Sequence, residues 1–375
     1  MNNNPESPRP LRIGVVGCGN VMDGAYMPYI QRLKLSDGPL TVTWACDTRP
    51  EKAKPILAKW QIENFTTDYR GLCSAEDVDI VLILTAMESH GAITRQALEN
   101  GKHVLVEKPL STDLDEAGEL LKFASTSQGI LMCAPFVILS PTFRILRSRV
   151  QSGDIGKVLS ARARYGWSGP DWNSWFYQSA GGCLFDLGVY NLTSLTGLLG
   201  PAQRVTALAG VAIPERIING ITVRVSVEDN AQVLLDFGDS VFGCVTAGFT
   251  IQKYRTPAIE LYGSEGTLQL LGDDWAPQGY ELWQNSVGAW QVFYETDPHW
   301  QWMDGLCHLL HCIRTGSRPL VTPEHAYHVL EIMLAARRAA SQGKVQVIHS
   351  RFSLPEFAAN TPAEAAHRIH DWTRE

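Results

Sequence analysis

The chain has 375 residues, 45% hydrophobic and 19% charged, with a formal net charge of −7, which suits two or more globular cores and not a disordered chain. Acidic and basic residues are mixed without a basic run, so nucleic acid is not an expected partner. No apolar stretch of about 18 residues is present to span a membrane. The eight cysteines, at 18, 46, 73, 133, 183, 244, 307 and 312, include no CxxC pair; they predict buried, reduced thiols and a cytoplasmic protein. The first ten residues, MNNNPESPRP, read as a disordered tail without the apolar core of a signal peptide.

Residues 11–16 form an expected buried strand that runs into Gly17-Cys18-Gly19-Asn20-Val21-Met22, with a helix expected over 24–34. Glycines let a pyrophosphate approach the backbone, and a helix start supplies free N–H groups, so Gly17, Gly19, Asn20 and Val21 are candidate dinucleotide contacts. The third glycine of the usual fingerprint is replaced by Met22, and Gly24 follows two residues later. A second strand, 40–46, ends at Asp47. A carboxylate there accepts hydrogen bonds from ribose hydroxyls and repels a 2′-phosphate, which favours NAD over NADP, with Arg49 as a partial offset. Asp47 is also a candidate N-cap for the helix predicted over 50–60. A short strand over 64–67 and a buried one over 78–84 come next. The latter leads into Thr85, Met87 and His90, three further candidate cofactor contacts, and a helix over 90–100.

Residues 104–106 make a short apolar strand that ends in Glu107, Lys108 and Pro109. A cationic amine at the carboxyl end of a strand in an open α/β sheet is where a ligand is handled, and proline disfavours helix at Lys108. With a helix over 113–127 and a strand over 130–133, the alternation predicts a doubly wound parallel sheet of the Rossmann type over 11–135.

A helix over 140–152 opens a second domain, expected over 136–375. Runs at 157–167, 204–213, 222–237, 240–251, 257–262, 267–271, 279–284 and 289–295 predict a large, mostly antiparallel open sheet with a face free for a homodimer or homotetramer. Within it lies GGCLFDLGVYN, where Asp186 and Tyr190 are four apart and share a helix face. A carboxylate and a phenol facing Lys108 make a proton-handling set; the plain alternative is an acidic helix start beside a buried tyrosine. Trp167, Trp172 and Trp175 cluster just before it, as a wall for a sugar or aromatic ligand or as pins for a long loop. His308 and His311 lie three apart on a helix predicted over 303–314. No further ligand stands at a useful spacing, so no metal is expected and His308 is a candidate substrate contact. A helix over 323–342, a strand over 345–348 and a tail of helix and coil over 352–375 close the chain.

IGVVGCGNV, the strand and loop ending HVLVEKPLS, the GGxxxDxGxY segment and the late HLLHCIRTGSRPLVTPEHAYHVLEIMLAA together resemble the Gfo/Idh/MocA oxidoreductase family over about residues 11–349. The resemblance implies NAD(P), a sugar or polyol substrate and an α/β second domain. It also implies that Lys108 is the lysine of the family's EKP motif and Asp186 its aspartate. Many members carry histidine four residues after that aspartate; this chain has Tyr190, as do members resembling glucose–fructose oxidoreductase and dihydrodiol dehydrogenase. Tyr190 is then the expected acid/base, with its phenol pKa lowered from about 10 by a nearby ammonium. Three function classes stay open. They are a sugar or glycoside dehydrogenase, a redox-neutral sugar enzyme that recycles bound NAD, and a non-catalytic sensor.

Overall fold

A computed structural model describes residues 9–36, 40–294, 300–355 and 357. The expected tails at 1–10 and 352–375 fall mostly outside the described residues, as does the last residue of the run at 289–295.

The first sheet has six parallel strands: β1 (Leu11–Val16), β2 (Leu40–Cys46), β3 (Asn64–Thr66), β4 (Ile80–Ile83), β5 (His103–Val106) and β6 (Leu131–Cys133), in the order β3-β2-β1-β4-β5-β6. All four residues of β4 are buried, as a strand covered on both faces requires. The order reverses between β1 and β4, which opens a crevice at their carboxyl ends. The connecting helices are α1 (Met27–Ser36), α2 (Pro50–Trp60), α3 (Tyr69–Ser74), α4 (His90–Glu99) and α5 (Leu114–Ala124). Two details depart from expectation. The first helix starts early, as a π-helical turn over Met22–Tyr26 that continues into α1. The short α3 was not foreseen; its six residues include Gly71 and are too few to show a period, and Asp68 caps it by accepting from the Arg70 amide.

The chain then forms α6 (Pro141–Gln151), β7 (Val158–Gly166), a π-helical turn over Leu184–Gly188, α7 (Val189–Leu199) and β8 (Arg204–Gly210). A separate hairpin follows, β9 (Glu215–Ile218) and β10 (Ile221–Arg224). Its turn is Asn219-Gly220, both at positive φ, the residues a tight hairpin favours. The expected strand over 222–237 is therefore two strands. The chain breaks at the fully buried Asp229, whose carboxylate accepts from the amides of Ala212 and Ile213.

The remaining strands are β11 (Asn230–Asp236), β12 (Phe242–Gly248), β13 (Ile259–Gly263), β14 (Gly266–Asp273), β15 (Ala276–Gln284), β16 (Trp290–Tyr294) and, after α8 (Gly305–Thr315) and α9 (Pro323–Gln342), β17 (Gln346–Val347). The second sheet runs β16-β15-β14-β13-β7-β12-β11-β8-β17. Its pairs are antiparallel except β7 with β12. Alternation sends Ala231, Val233 and Leu235 inward against α7, whose Leu192, Leu195 and Leu198 are fully buried. Helix α9 packs against both β8 and α5, and so touches both halves of the molecule. All eight cysteines are free thiols, six of them buried and Cys244 and Cys307 partly so. Among the described residues no helix is long and apolar enough to cross a membrane.

Candidate active site

Lys108 leaves the carboxyl end of β5 through a loop closed by Pro109, whose peptide bond with Lys108 is cis. Its ammonium donates to Asp186 Oδ1 at 2.7 Å and to the Asp186 backbone oxygen at 2.9 Å. The two side chains are 12% and 14% exposed, sheltered enough for the pair to be strong yet open at one side. The same ammonium lies 5.2 Å from the centre of the Tyr190 ring. The structure thus brings together three of the residues singled out in the sequence. Asp186 sits in the π-helical turn and Tyr190 in the first turn of α7, instead of both lying on one regular α-helix.

Other contacts hold this constellation. The buried Tyr26, from the first π-helical turn, donates to Glu107 Oε1 at 3.0 Å, and burial raises the Glu107 carboxyl. His90 is fully buried; one ring nitrogen lies 2.7 Å from the Pro109 oxygen and the other 3.1 Å from the Thr85 oxygen. Burial lowers its pKa, so the neutral ring donates to one of these two oxygens and packs against the other; enclosed between the β4 loop and the lysine loop, it is not open to a cofactor, which corrects its expected role. On the other side, Arg337 of α9 binds Glu228 and donates to the Gly181 oxygen, while its guanidinium lies 3.9 Å from the Phe185 ring centre. The Cys183 amide donates to the Glu228 oxygen. Sequence reasoning missed Glu228 and Arg337, which are far apart in the chain and carry no local pattern.

The nucleotide edge fits a dinucleotide. Gly17 has φ +102°, and a Cβ there would stand 2.6 Å from the Leu84 oxygen. At Gly19 a Cβ would meet nothing within 4 Å, and Asn20 and Val21 beside it are exposed. The helix start therefore presents an open ledge at Gly19, where the backbone is uncovered, the shape a pyrophosphate needs. Asp47 accepts from the Cys18 amide through Oδ2 and from the Arg49 amide through Oδ1. A carboxylate has about four acceptor positions, so capacity remains for ribose hydroxyls. Asp47 does not cap α2; that position is Arg49, which makes no side-chain cap. Thr85 is partly buried and accepts from the Ser89 hydroxyl at 2.8 Å, while Met87 is buried beneath the loop.

Tyr190 departs from expectation. Its phenol pKa is raised well above the ordinary value, first by burial and then by the charges of Glu107, Asp186 and Asp274. The Lys108 charge is already answered by Asp186, so it does not pull the phenol down. Tyr165 of β7 meets Tyr190 edge-on at 5.7 Å between centres and lies 6.4 Å from Trp275. Trp167 stacks on Trp172 at 5.5 Å, and Trp175 stacks on Phe176 at 3.8 Å. This loop is pinned: Tyr177 donates to the Pro170 oxygen, and Asn219 of the hairpin turn donates to the Trp172 oxygen. Trp172 stays half exposed. His308 is buried, its Nε2 accepts from the Leu320 amide at 2.9 Å, and burial lowers its pKa to about 3. That nitrogen is committed to the α8–α9 connection, which corrects its expected role as a substrate contact.

A parallel sheet with an open glycine ledge, an acidic second-strand end and a lysine–aspartate–tyrosine cluster defines a dinucleotide-binding oxidoreductase. Residues 11–134 match the family model described as "Oxidoreductase family, NAD-binding Rossmann fold", and residues 143–269 match "GFO/IDH/MocA C-terminal domain". The chain belongs to the Gfo/Idh/MocA oxidoreductase family. It is 28% identical over 274 residues to trans-1,2-dihydrobenzene-1,2-diol dehydrogenase of Macaca fuscata fuscata, covering 71% of this chain and 76% of that one. It is 27% identical over 245 residues to levoglucosan dehydrogenase of Pseudarthrobacter phenanthrenivorans, covering 59% and 63%. A solved levoglucosan dehydrogenase, in complex with NADH and levoglucosan, shares the fold with a TM-score of 0.81 at 20% identity, over 91% of this chain and all of that one.

Gly182, at φ +96°, carries the turn before Asp186, and a Cβ there would stand 2.4 Å from Glu228 Oε1. Gly182→Ala is expected to lose at least about 1 kcal/mol of stability. Thermal unfolding checks this, and an unchanged midpoint would show that the turn and the Glu228–Arg337 pair relax freely.

Proposed function

We propose that the protein is an NAD-dependent dehydrogenase acting on a hydroxyl-bearing carbon of a sugar, glycoside or polyol. The observation that carries this reading is the Lys108 ammonium held against Asp186 and the Tyr190 ring at the carboxyl edge of the first sheet. The glycine ledge would hold the pyrophosphate and Asp47 the adenosine ribose. When bound, the nicotinamide supplies the two-electron acceptor or donor at the reacting carbon. Asp186 fixes Lys108, and Lys108 stabilises negative charge on the substrate oxygen. Tyr190 moves the proton of that same oxygen. The relatives named above act on a diol and on an anhydrosugar by their names, and the half-exposed Trp172 platform suits the apolar face of a sugar ring or an aglycone. The test is a panel of aldoses, polyols and glycosides with NAD, followed by absorbance of the reduced nicotinamide; no turnover across the panel would sink the reading.

The raised phenol sets a direction. At neutral pH Tyr190 is an O–H donor, suited to protonating a carbonyl oxygen during reduction. Oxidation needs the phenolate, so its kcat/KM is expected to climb with pH and to be still rising, without a plateau, at about pH 10. Tyr190→Phe is expected to lower kcat by about 10²-fold or more. Steady-state kinetics check both, and unchanged turnover in the variant would remove Tyr190 from proton transfer.

Asp47 supports NAD over NADP, because a 2′-phosphate would face its carboxylate. In Asp47→Ser the KM for NAD is expected to rise and the preference over NADP to shrink at least tenfold, about 1.4 kcal/mol. Equal discrimination in both proteins would place specificity elsewhere.

We also propose that the outer face of the second sheet joins copies of the chain. Leu208 is 78% exposed, and Leu234 and Phe242 are each 53% exposed on neighbouring strands β8, β11 and β12. Lying diagonally across the three strands, they make an apolar strip that a second copy would cover. Leu208→Glu combined with Leu234→Glu is expected to halve the mass in light scattering. A monomeric wild type, or a variant that keeps its mass, would refute this interface.

A further inference from the structure

Behind Tyr190 lies a polar cluster that the mechanism above leaves unused. The turn between β14 and β15 consists of Asp274 and Trp275. It brings the Trp275 ring to Tyr165, which in turn meets Tyr190. Asp274 is 3% exposed. Its Oδ2 accepts from Asn191 Nδ2 at 2.8 Å and from the Ser194 hydroxyl at 3.4 Å. Asn191, which directly follows Tyr190 in α7, is fully buried.

Asp274 Oδ1 and Asn191 Oδ1 are both buried without a hydrogen-bond partner. An amide and an ionised carboxylate make one bond edge to edge, and the second edge then holds two acceptors and no hydrogen. Leaving such buried groups unsatisfied is destabilising, because each has given up its water without a replacement. A protonated carboxyl supplies the missing hydrogen and closes an acid–amide pair.

The surroundings favour the neutral form. Asp273, next in the chain, adds negative charge and accepts from the Tyr254 hydroxyl. From β7 the cluster faces Tyr165, and from α7 it faces Tyr190; both phenols are themselves raised by burial and by the Asp274 charge. Arg164 of β7 bears on Tyr254, and among the described residues no cation forms an ion pair with Asp274. Burial, with Asp273 adding to it, outweighs the hydrogen bonds from Asn191, Ser194 and the Trp275 backbone, which favour the ionised form, and pushes the Asp274 carboxyl up to about 7.

Building on the dehydrogenase reading, we propose that Asp274 is a positioning residue for Tyr190: as a neutral acid paired with Asn191, it holds the first turn of α7 and keeps a further negative charge from the phenol. Ionisation of Asp274 opens the pair and adds that charge. Because the folded state keeps this proton above the unfolded carboxyl pKa of about 3.9, the stability it lends is full below about pH 4 and lost as pH rises to about 7.

Asp274→Asn preserves the edge-to-edge pair with an amide hydrogen and cannot ionise; Asp274→Ala removes it. The Asn variant is expected to keep kcat for carbonyl reduction within about threefold and the Ala variant to lose at least about tenfold, a difference of more than about 0.7 kcal/mol. Relative to the Asn variant, wild-type thermal stability is expected to fall between about pH 4 and about pH 7 and then level off. Infrared spectra of the wild type are expected to show a protonated-carboxyl band at about pH 5.5 that fades by about pH 8.5 and is missing from the Asn variant. An Asn variant as slow as the Ala variant, or no such band at any pH, would overturn the proposal. The infrared and unfolding arms need no substrate, so a protein without dehydrogenase turnover would lose the reading above while Asp274 is still decided.

Discussion

The ion pair between Lys108 and Asp186 is the constraint on which the site depends. It joins the loop after β5 of the first sheet to the π-helical turn that opens α7 under the second. Each charge sits in a sheltered place where alone it would be costly. Removing one partner from a pair of this kind costs about 3–5 kcal/mol, because the other charge is left behind. The pair therefore ties the two halves together at the site, where α9 also bridges them, and Tyr190 follows Asp186 by one turn of the chain.

Around the pair the chain repeats one device. A helix start is widened by a π-helical turn on each side, over Met22–Tyr26 and over Leu184–Gly188. Such turns push a side chain outward from the helix and are frequent at functional sites. One delivers Tyr26 to Glu107 and the other delivers Asp186 to Lys108. The neighbouring residues Glu107 and Lys108 are thus each gripped by a different half of the molecule. His90 from below and Arg337 from α9 finish the frame without touching the open side.

Much of this was legible in the sequence. The apolar run before EKP, the glycine turn after β1 and the valine- and leucine-rich β4 are local patterns, and local patterns survive without tertiary context. The GGxxxDxGxY segment likewise pointed to Asp186 and Tyr190. What failed was what depends on distant partners. The acidity of Tyr190 requires counting Glu107, Asp186 and Asp274 around it, and only the folded chain brings them there. Asp274 itself reads as an ordinary hairpin turn in LGDDWAP. His308 looked available because its partner, the Leu320 amide, is a backbone group with no signature. Asn219-Gly220 was a readable hairpin signal, but the β-branched residues after it masked the break at Asp229.

The parallel pairing of β7 with β12 carries a further consequence. Because β12 and β11, and then β11 and β8, run antiparallel, β8 runs the same way as β7. The path β7–α7–β8 is thus a second crossover, with Asp186 and Tyr190 just beyond the carboxyl end of its first strand, as Lys108 lies beyond β5. Both ends of the connection between β7 and the π-helical turn are tied down, Trp167 to the Gly248 oxygen and the buried Tyr177 and Gly181–Cys183 to the frame, but residues 171–176 between them pair with no strand of the large sheet. That interval can grow, shrink or exchange its tryptophans while every strand keeps its register. The molecule is divided into a frame around Lys108, Asp186 and Tyr190 that tolerates little change and one rim segment that can vary without disturbing it.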